Sequence, residues 1–332
     1  MSLPGKVLRK HPINLIIASL FILGFVAFEF WDHYIPPSVQ DRNQRETSRI
    51  KVDPDDFSFA VFGDHKGHEF IFEPLLRDVA KNQKLTFAIE LGDLVRQGRR
   101  WFYRRLLNEV EKNLSIPYLA VIGNHDLYRG SNNYREIFGP TYYSFQIGQT
   151  YFIMLDTSAR FRFDKAQRQW LEAELERSQA SEIRFVFAHV PLFDPRGRPE
   201  FVKCLSEKDG KDLLDLFRRY HVTHFFASHI HGYFSGAWEG VPYTITGGAG
   251  AGLHGRDPEH FFHHYIKVHV SGDKVEIEVK RIDVHKSSLK DFLSFIKDFG
   301  PEWGLFVGML ISLLILGYST IKDFRKSKQN SL

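Results

Sequence analysis

Gly123-Asn124-His125-Asp126 closes the apolar run Tyr118-Leu119-Ala120-Val121-Ile122, and that junction decides the fold. An apolar stretch too short for a helix, ended by glycine and three polar side chains, predicts a buried strand that delivers donors at its carboxyl end. Further runs end in the same way. Phe57–Phe62 stops at Gly63-Asp64 and Leu85–Leu91 at Gly92-Asp93; Phe185–Ala188 stops at His189, and Phe225–Ser228 at His229-Ile230-His231. Ligands of open α/β sheets collect at the carboxyl ends of strands, so these side chains are expected to converge. Asp, Asn and His together make a ligand set for divalent first-row metals, and the glycines let backbone turn sharply beside them. One strand-terminal Asp is ordinarily a cap and one His a structural residue. Such residues at the end of run after run point to a metal centre.

Working outward, strands alternate with helices. Helical patterns cover Glu69–Asn82, Arg99–Asn113, Asp164–Ser178 with Asp164 as N-cap, and Asp209–Tyr220. Hairpins are expected at Gly148-Gln149 and Gly272-Asp273. The pattern is α/β with an antiparallel tail, which suits two packed sheets flanked by helices.

The ends of the chain differ from its middle. Ile13–Trp31 and Trp303–Tyr318, the second extending toward Ile321, are apolar runs near the roughly 20 residues a helix needs to cross a bilayer. The first exceeds the ~7–15 residues of a signal-peptide core and lacks a small-x-small cleavage site, which favours an uncleaved anchor. Lys6, Arg9 and Lys10 precede the first run; Lys322, Arg325, Lys326 and Lys328 follow the second. Positive flanks stay cytoplasmic, so both termini are expected inside and the middle outside the cytoplasm. The organisation expected is a tail at 1–12, a span at 13–31, a linker at 32–52, a catalytic domain at 53–285, a linker at 286–302, a span at 303–321 and a tail at 322–332. Each tail carries +3 of a total of +4, leaving −2 for the rest. That balance gives no sign of nucleic-acid binding. Cys204 is the only cysteine, which excludes an internal disulfide.

The order Gly-Asp, Gly-Asp, Gly-Asn-His-Asp, His, His-x-His resembles the calcineurin-like metallophosphoesterase superfamily, which includes the purple acid phosphatases. The resemblance covers about Phe57 to Ile282, and Gly123–Asp126 and His229–Gly232 are its most specific pieces. It implies a four-layer αββα sandwich and two divalent metal ions, Mn, Fe or Zn. By motif position Asp93 would bridge them, Asn124, His189 and His229 would complete one site, and Asp64 and His231 would belong to the other. His125, paired with Asp126, would act on the phosphoryl group. Such a pair of cations neutralises phosphoryl oxygens and lowers the pKa of a bound water to about 7, supplying hydroxide for in-line attack.

The first motif departs from the family. Asp-x-His is usual, and here Asp64-His65-Lys66 stands instead. Residues 64 and 66 share a strand face, so Lys66 takes the slot of a ligand histidine. Three readings stay open: His65 or His68 swings in, the site keeps fewer protein ligands, or Lys66 contacts the substrate phosphate. The Tyr used by purple acid phosphatases after the second Asp is also absent. Arg96 heads a basic, aromatic stretch and is a candidate substrate contact, as is His254 after the glycine-rich segment Gly247–Gly252. The bland reading of the basic stretch is a solvated helix face, and of His260, His263 and His264 a structural role.

The function expected is hydrolysis of phosphate mono- or diesters by a membrane-anchored enzyme, with a lipid-linked or cell-envelope substrate favoured by the tether. The rival from another class is a non-catalytic metal- or phosphate-binding sensor with a degenerate first metal site.

Overall fold

A computed structural model of the chain describes residues 12–34, 40–128, 132–159, 163–197, 203–283 and 300–329. It divides into two compact units, residues 37–294 and the two terminal segments together.

The larger unit holds two sheets. One has the order β11-β10-β1-β2-β3, the other β4-β5-β6-β7-β9-β8. The strands of the first are β1 (Asp56–Phe62), β2 (Leu85–Leu91), β3 (Tyr118–Val121), β10 (His264–Ser271) and β11 (Lys274–Arg281). Those of the second are β4 (Tyr143–Ile147), β5 (Thr150–Met154), β6 (Ile183–Phe187), β7 (His224–Ala227), β8 (Tyr233–Trp238) and β9 (Val241–Thr246). β1, β2 and β3 run parallel, as do β5, β6, β7 and β9, so their carboxyl ends open on one side of each sheet.

Period-2 alternation sorts the strand side chains into layers. Phe57, Phe59 and Val61 face the other sheet, whereas Ala60 and Phe62 face helices. Much of the phenylalanine goes into that middle layer. Phe59 stacks on Phe87 at 4.9 Å and meets Phe152 and Phe185 edge-on at 5.5 and 5.6 Å. Helices α3 (Glu69–Lys81), α4 (Arg100–Asn113) and α5 (Asn132–Phe138) bury Leu76, Leu106 and Ile137 on the outer face of the first sheet. Helices α6 (Lys165–Arg177) and α7 (Glu207–Arg219) bury Leu171 and Leu213 against the second. Helix, sheet, sheet and helix therefore stack in four layers. Asp164 caps α6 by accepting the Gln167 N–H at 2.9 Å.

One sequence expectation about the elements needs correction. The stretch expected as a linker at 32–52 contains helix α2 (Arg42–Arg49), with Arg42, Asn43 and Glu46 buried. Asn43 Nδ2 donates to the Ala120 carbonyl at 3.0 Å and its Oδ1 accepts the Ala120 N–H at 2.9 Å. One amide thus pairs with both backbone groups of Ala120 on the open edge of β3, where the Tyr134 and Tyr143 hydroxyls also donate to the carbonyl. No apolar periodicity announces this helix, because polar contacts hold it. Strand β8, which the sequence pattern does not announce, forms a hairpin with β9; Ser235 and Gly236 interrupt its alternation, and Trp238 stacks on Tyr243 at 3.7 Å.

The smaller unit contains helices α1 (Pro12–Tyr34) and α8 (Gly300–Gln329). A Cβ at Gly308 would fall 2.3 Å from the Phe21 ring and one at Gly24 would fall 3.2 Å from Leu305, so the helices run antiparallel in close contact. Ser312, the polar interruption of the second run, donates to the Gly308 carbonyl at 2.8 Å. Ile16, Leu20, Leu23, Leu310, Ile311 and Leu314 are exposed on the pair. Among the described residues, no helix is long and apolar enough to cross a membrane. The fold by itself therefore does not supply the two spans expected at 13–31 and 303–321. The N-terminal tail and most of the linker expected at 286–302 lie outside the described residues.

Candidate metal centre

The carboxyl ends of β1, β2, β3, β6 and β7 meet at one point. Two donor groups form there: Asp93 with His189 and His229, and Asp64 with Asp93 and His231, each with its ligand atoms within 4.8 Å of one another. Asp93 belongs to both. Asn124 joins the first group, its Oδ1 3.0 Å from His189 Nε2.

Backbone geometry aims these groups. Gly123 approaches Asp93 so closely that a Cβ would fall 1.9 Å from the Asp93 nitrogen. Gly92, at φ +83°, lets β2 turn beside it. The imidazoles are oriented by carbonyls. His189 Nδ1 donates to the Leu91 carbonyl at 2.7 Å and His231 Nδ1 to the Gly252 carbonyl at 2.6 Å. A ring whose Nδ1 carries the proton presents an unprotonated Nε2 as donor to a cation. His189 Nε2 lies 3.1 Å from His229 Nδ1 and 3.3 Å from Asp93 Oδ1; His231 Nε2 lies 3.3 Å from Asp64 Oδ1.

Electrostatics mark the same spot. Burial works to raise the carboxyls of Asp64 and Asp93, but His231 beside the first and His189 beside the second hold both well below the usual carboxylate range. Burial lowers His189, yet Asp93 outweighs it and lifts the imidazole to about 9. Burial brings His229 down to about 3. Two ionised carboxylates are thus sealed from water and draw positive charge toward them. Asp64 Oδ1 and Asp93 Oδ2 are buried and accept no well-directed hydrogen bond; the Lys66 ammonium meets Asp93 Oδ2 only as an ion pair. Orphaned acceptors this deep are costly unless a cation meets them, so the donor set fits metal binding.

The remaining residues fall as follows. Lys66 reaches into the group of Asp64, Asp93 and His231: Nζ is 3.0 Å from Asp93 Oδ2, 3.0 Å from His231 Nε2 and 3.9 Å from Asp64 Oδ1. His65 points away, its Nδ1 2.6 Å from Glu90 Oε1 and its ring stacked on Phe72 at 3.9 Å, which removes it as a replacement ligand. His68 is absent from both donor groups. His125 sits at the rim; its N–H donates to Asp93 Oδ1 at 2.8 Å and its Nδ1 to the Arg96 carbonyl at 2.9 Å. The expected pairing of His125 with Asp126 is corrected. Asp126 is fully buried and accepts the N–H groups of Gly123 at 2.7 Å and Leu94 at 3.3 Å, with the Tyr103 hydroxyl 3.3 Å from its other oxygen. It braces the turn, and the Arg96 carbonyl orients the imidazole. The Arg96 residue is exposed. His254 stacks on His231 at 3.8 Å, and its Nδ1 accepts the His231 N–H at 3.0 Å.

Sequence reasoning missed Ser228, whose hydroxyl donates to Asp64 Oδ2 beside the His229 N–H at 2.6 Å. Its place at the end of β7 beside a ligand was the available signal. It also missed Lys203, half-buried with Nζ 3.0 Å from His254 Nε2; only proximity in space reveals it. His260, His263 and His264 bond to the carbonyls of Tyr233, Gly248 and Phe262.

A four-layer sandwich with two overlapping donor groups that share one carboxylate defines a metallophosphoesterase. Residues 57–233 match the calcineurin-like phosphoesterase family, and the chain belongs to it. It is similar to the serine/threonine-protein phosphatase CPPED1 of Rattus norvegicus, 27% identical over 227 residues that cover 59% of this chain and 69% of that protein. The Homo sapiens protein of the same name is 28% identical over 200 residues, covering 53% and 63%. Among solved structures, purple acid phosphatase PPD1 from yellow lupin (Lupinus luteus) superposes with a TM-score of 0.55 at 17% identity, over 70% of this chain and 53% of that one. A dimetal phosphatase from Danio rerio gives 0.52 at 18%, over 70% and 98%. At such identities the structures speak to the fold alone.

Proposed function

We propose that the chain is a metal-dependent hydrolase of phosphate mono- or diesters, tethered to a membrane by its terminal helices with the larger unit outside the cytoplasm. The observation that carries the catalytic reading is the shared Asp93, with buried Asp64 and Asp93 oxygens left without hydrogen bonds. Asp93, Asn124, His189 and His229 would hold one divalent cation, and Asp64, Asp93 and His231 are the donors of a second position. Bound there, Mn, Fe or Zn supplies charge neutralisation for phosphoryl oxygens and acidifies a water for attack.

The chain's own residues do the rest. His125, held through Nδ1 by the Arg96 carbonyl, would in its doubly protonated form donate Nε2–H to a phosphoryl oxygen or give that proton to the leaving alkoxide. Asp126 fixes the turn that carries Asn124 and His125. Lys203, His254 and Arg96 add donors for an anionic substrate around the site.

The membrane reading rests on the apolar runs, their positive flanks and the exposed apolar residues of the antiparallel pair. An antiparallel pair puts both termini on one side, as the flanking charges require. Such a tether favours a lipid-linked or cell-envelope phosphoester over a soluble nucleotide.

One observation favours the sensor reading instead, namely the Lys66 ammonium among the donors of the second position. Purified full-length protein, loaded in turn with Mn, Fe and Zn, separates the two on aryl phosphate mono- and diesters, phospholipids, nucleotides and phosphopeptides. Turnover that falls by about a hundredfold or more in Asn124→Ala or His189→Ala, with folding retained, supports the hydrolase. Bound metal with no turnover of any ester supports the sensor.

A further inference from the structure

Two donor groups share Asp93, but they are not equivalent. The group of Asp93, Asn124, His189 and His229 has no lysine or arginine among its donors. The group of Asp64, Asp93 and His231 has the Lys66 ammonium in its midst, 3.0 Å from both Asp93 Oδ2 and His231 Nε2.

The contact with His231 is a hydrogen bond and that with Asp93 an ion pair, both longer than the roughly 2.0–2.2 Å of bonds from a divalent metal to oxygen or imidazole nitrogen. The donors also suit an ammonium. His231 has its Nδ1 proton committed to the Gly252 carbonyl, so Nε2 offers a lone pair to Lys66. Asp93 Oδ2 offers another. The lysine is not a loose side chain that wandered in. Its N–H donates to the Asp93 carbonyl at 3.0 Å, and its backbone holds φ at +51°, a conformation that side chains rarely adopt. Strain of that kind persists where surrounding structure enforces it. The side chain itself is only 15% exposed, which leaves it little room to withdraw.

A divalent cation among Asp64, Asp93 and His231 would need the volume that Nζ fills, and it would sit against a like charge in a site closed to water. One of the two has to leave. We propose that this chain holds a single divalent cation, at Asp93, Asn124, His189 and His229, and that the Lys66 ammonium is the built-in second cation of the centre. The deviation from Asp-x-His at 64–66 is then a substitution of charge for charge. Lys66 meets Asp93 at Oδ2 and His189 meets it at Oδ1, so the one carboxylate would serve the ammonium and the cation alike. This rests on the metal-dependent reading above and changes its stoichiometry.

Manganese titration of the full-length protein tests it, with metal counted by elemental analysis after removal of excess and the spin state followed by electron paramagnetic resonance. The expected result is one Mn per chain with the signal of an isolated ion, and a second Mn with an exchange-coupled signal in Lys66→His, where an imidazole restores the missing ligand. Lys66→Met, which keeps the bulk but removes the charge, is expected to stay at one. Two coupled Mn ions in the unmodified chain overturn the inference and leave the hydrolase reading standing; that measurement needs no variant to fold. One Mn in both the unmodified chain and a folded Lys66→His overturns the assignment of Lys66 as the excluding group. No retained Mn in any form overturns the inference, and the same result with Fe and Zn overturns the metal-dependent reading as well.

Discussion

At Asp64, Lys66, Asp93 and His229 the backbone takes positive φ, between 51° and 66°, in residues that have side chains. Each such residue costs of order 1–3 kcal/mol unless its surroundings compensate, and here all of them carry groups aimed at one point. The strain is the mark of a site in which direction matters more than local comfort. Gly123 shows the same demand from the opposite side, since it must be small for the Asn124 turn to lie against Asp93. Gly123→Ala would push a methyl into the Asp93 nitrogen and close to its Oδ1. We expect metal affinity to fall at least tenfold or so, in the range seen when the supports of metal ligands are lost. Calorimetric titration with Mn or Zn reads this; unchanged affinity would mean that the turn does not position Asp93.

The elements that build the site are simpler than the site. Apolar alternation makes β1, β2, β6 and β7, and their parallel pairing brings the carboxyl ends together. Helix α2 is the exception, held by polar contacts. Asn43 pairs with both backbone groups of Ala120 at the edge of β3, the strand that leads into the Asn124 turn. Asn43→Ala leaves the buried Ala120 N–H without its partner, and should lower stability by about 1–3 kcal/mol in urea denaturation. Arg45→Ala, on the exposed side of the same helix, should stay within about 0.5 kcal/mol. Equal losses in both would show that α2 contributes through helix formation alone.

For the molecule as a whole, the membrane proposal makes the most direct demand. The protein should remain with the membrane pellet through an alkaline carbonate wash, and leave it only in detergent. Recovery in the wash would remove the tether and with it the preference for a lipid-linked or cell-envelope substrate. The catalytic proposal would be untouched, because the metal centre lies wholly within the larger unit.

Much of this was legible in the chain itself. Strands ending in Gly-Asp, Gly-Asn-His-Asp and His-x-His announce both the α/β order and the donors, because hydrophobic runs and the polar residues that end them are local facts. Four matters were decided only by tertiary structure. A polar helix at 42–49 packs on β3 through one amide. Asp126 braces a turn while a carbonyl orients His125. Lys203 enters the site's surroundings from a place that local sequence does not single out, and the bond of Ser228 to Asp64 joins two distant strand ends. Lys66 fills the position of a cation. Each depends on distances between segments far apart in the chain, and hydrogen bonds and ion pairs of a few ångströms have no counterpart in local periodicity.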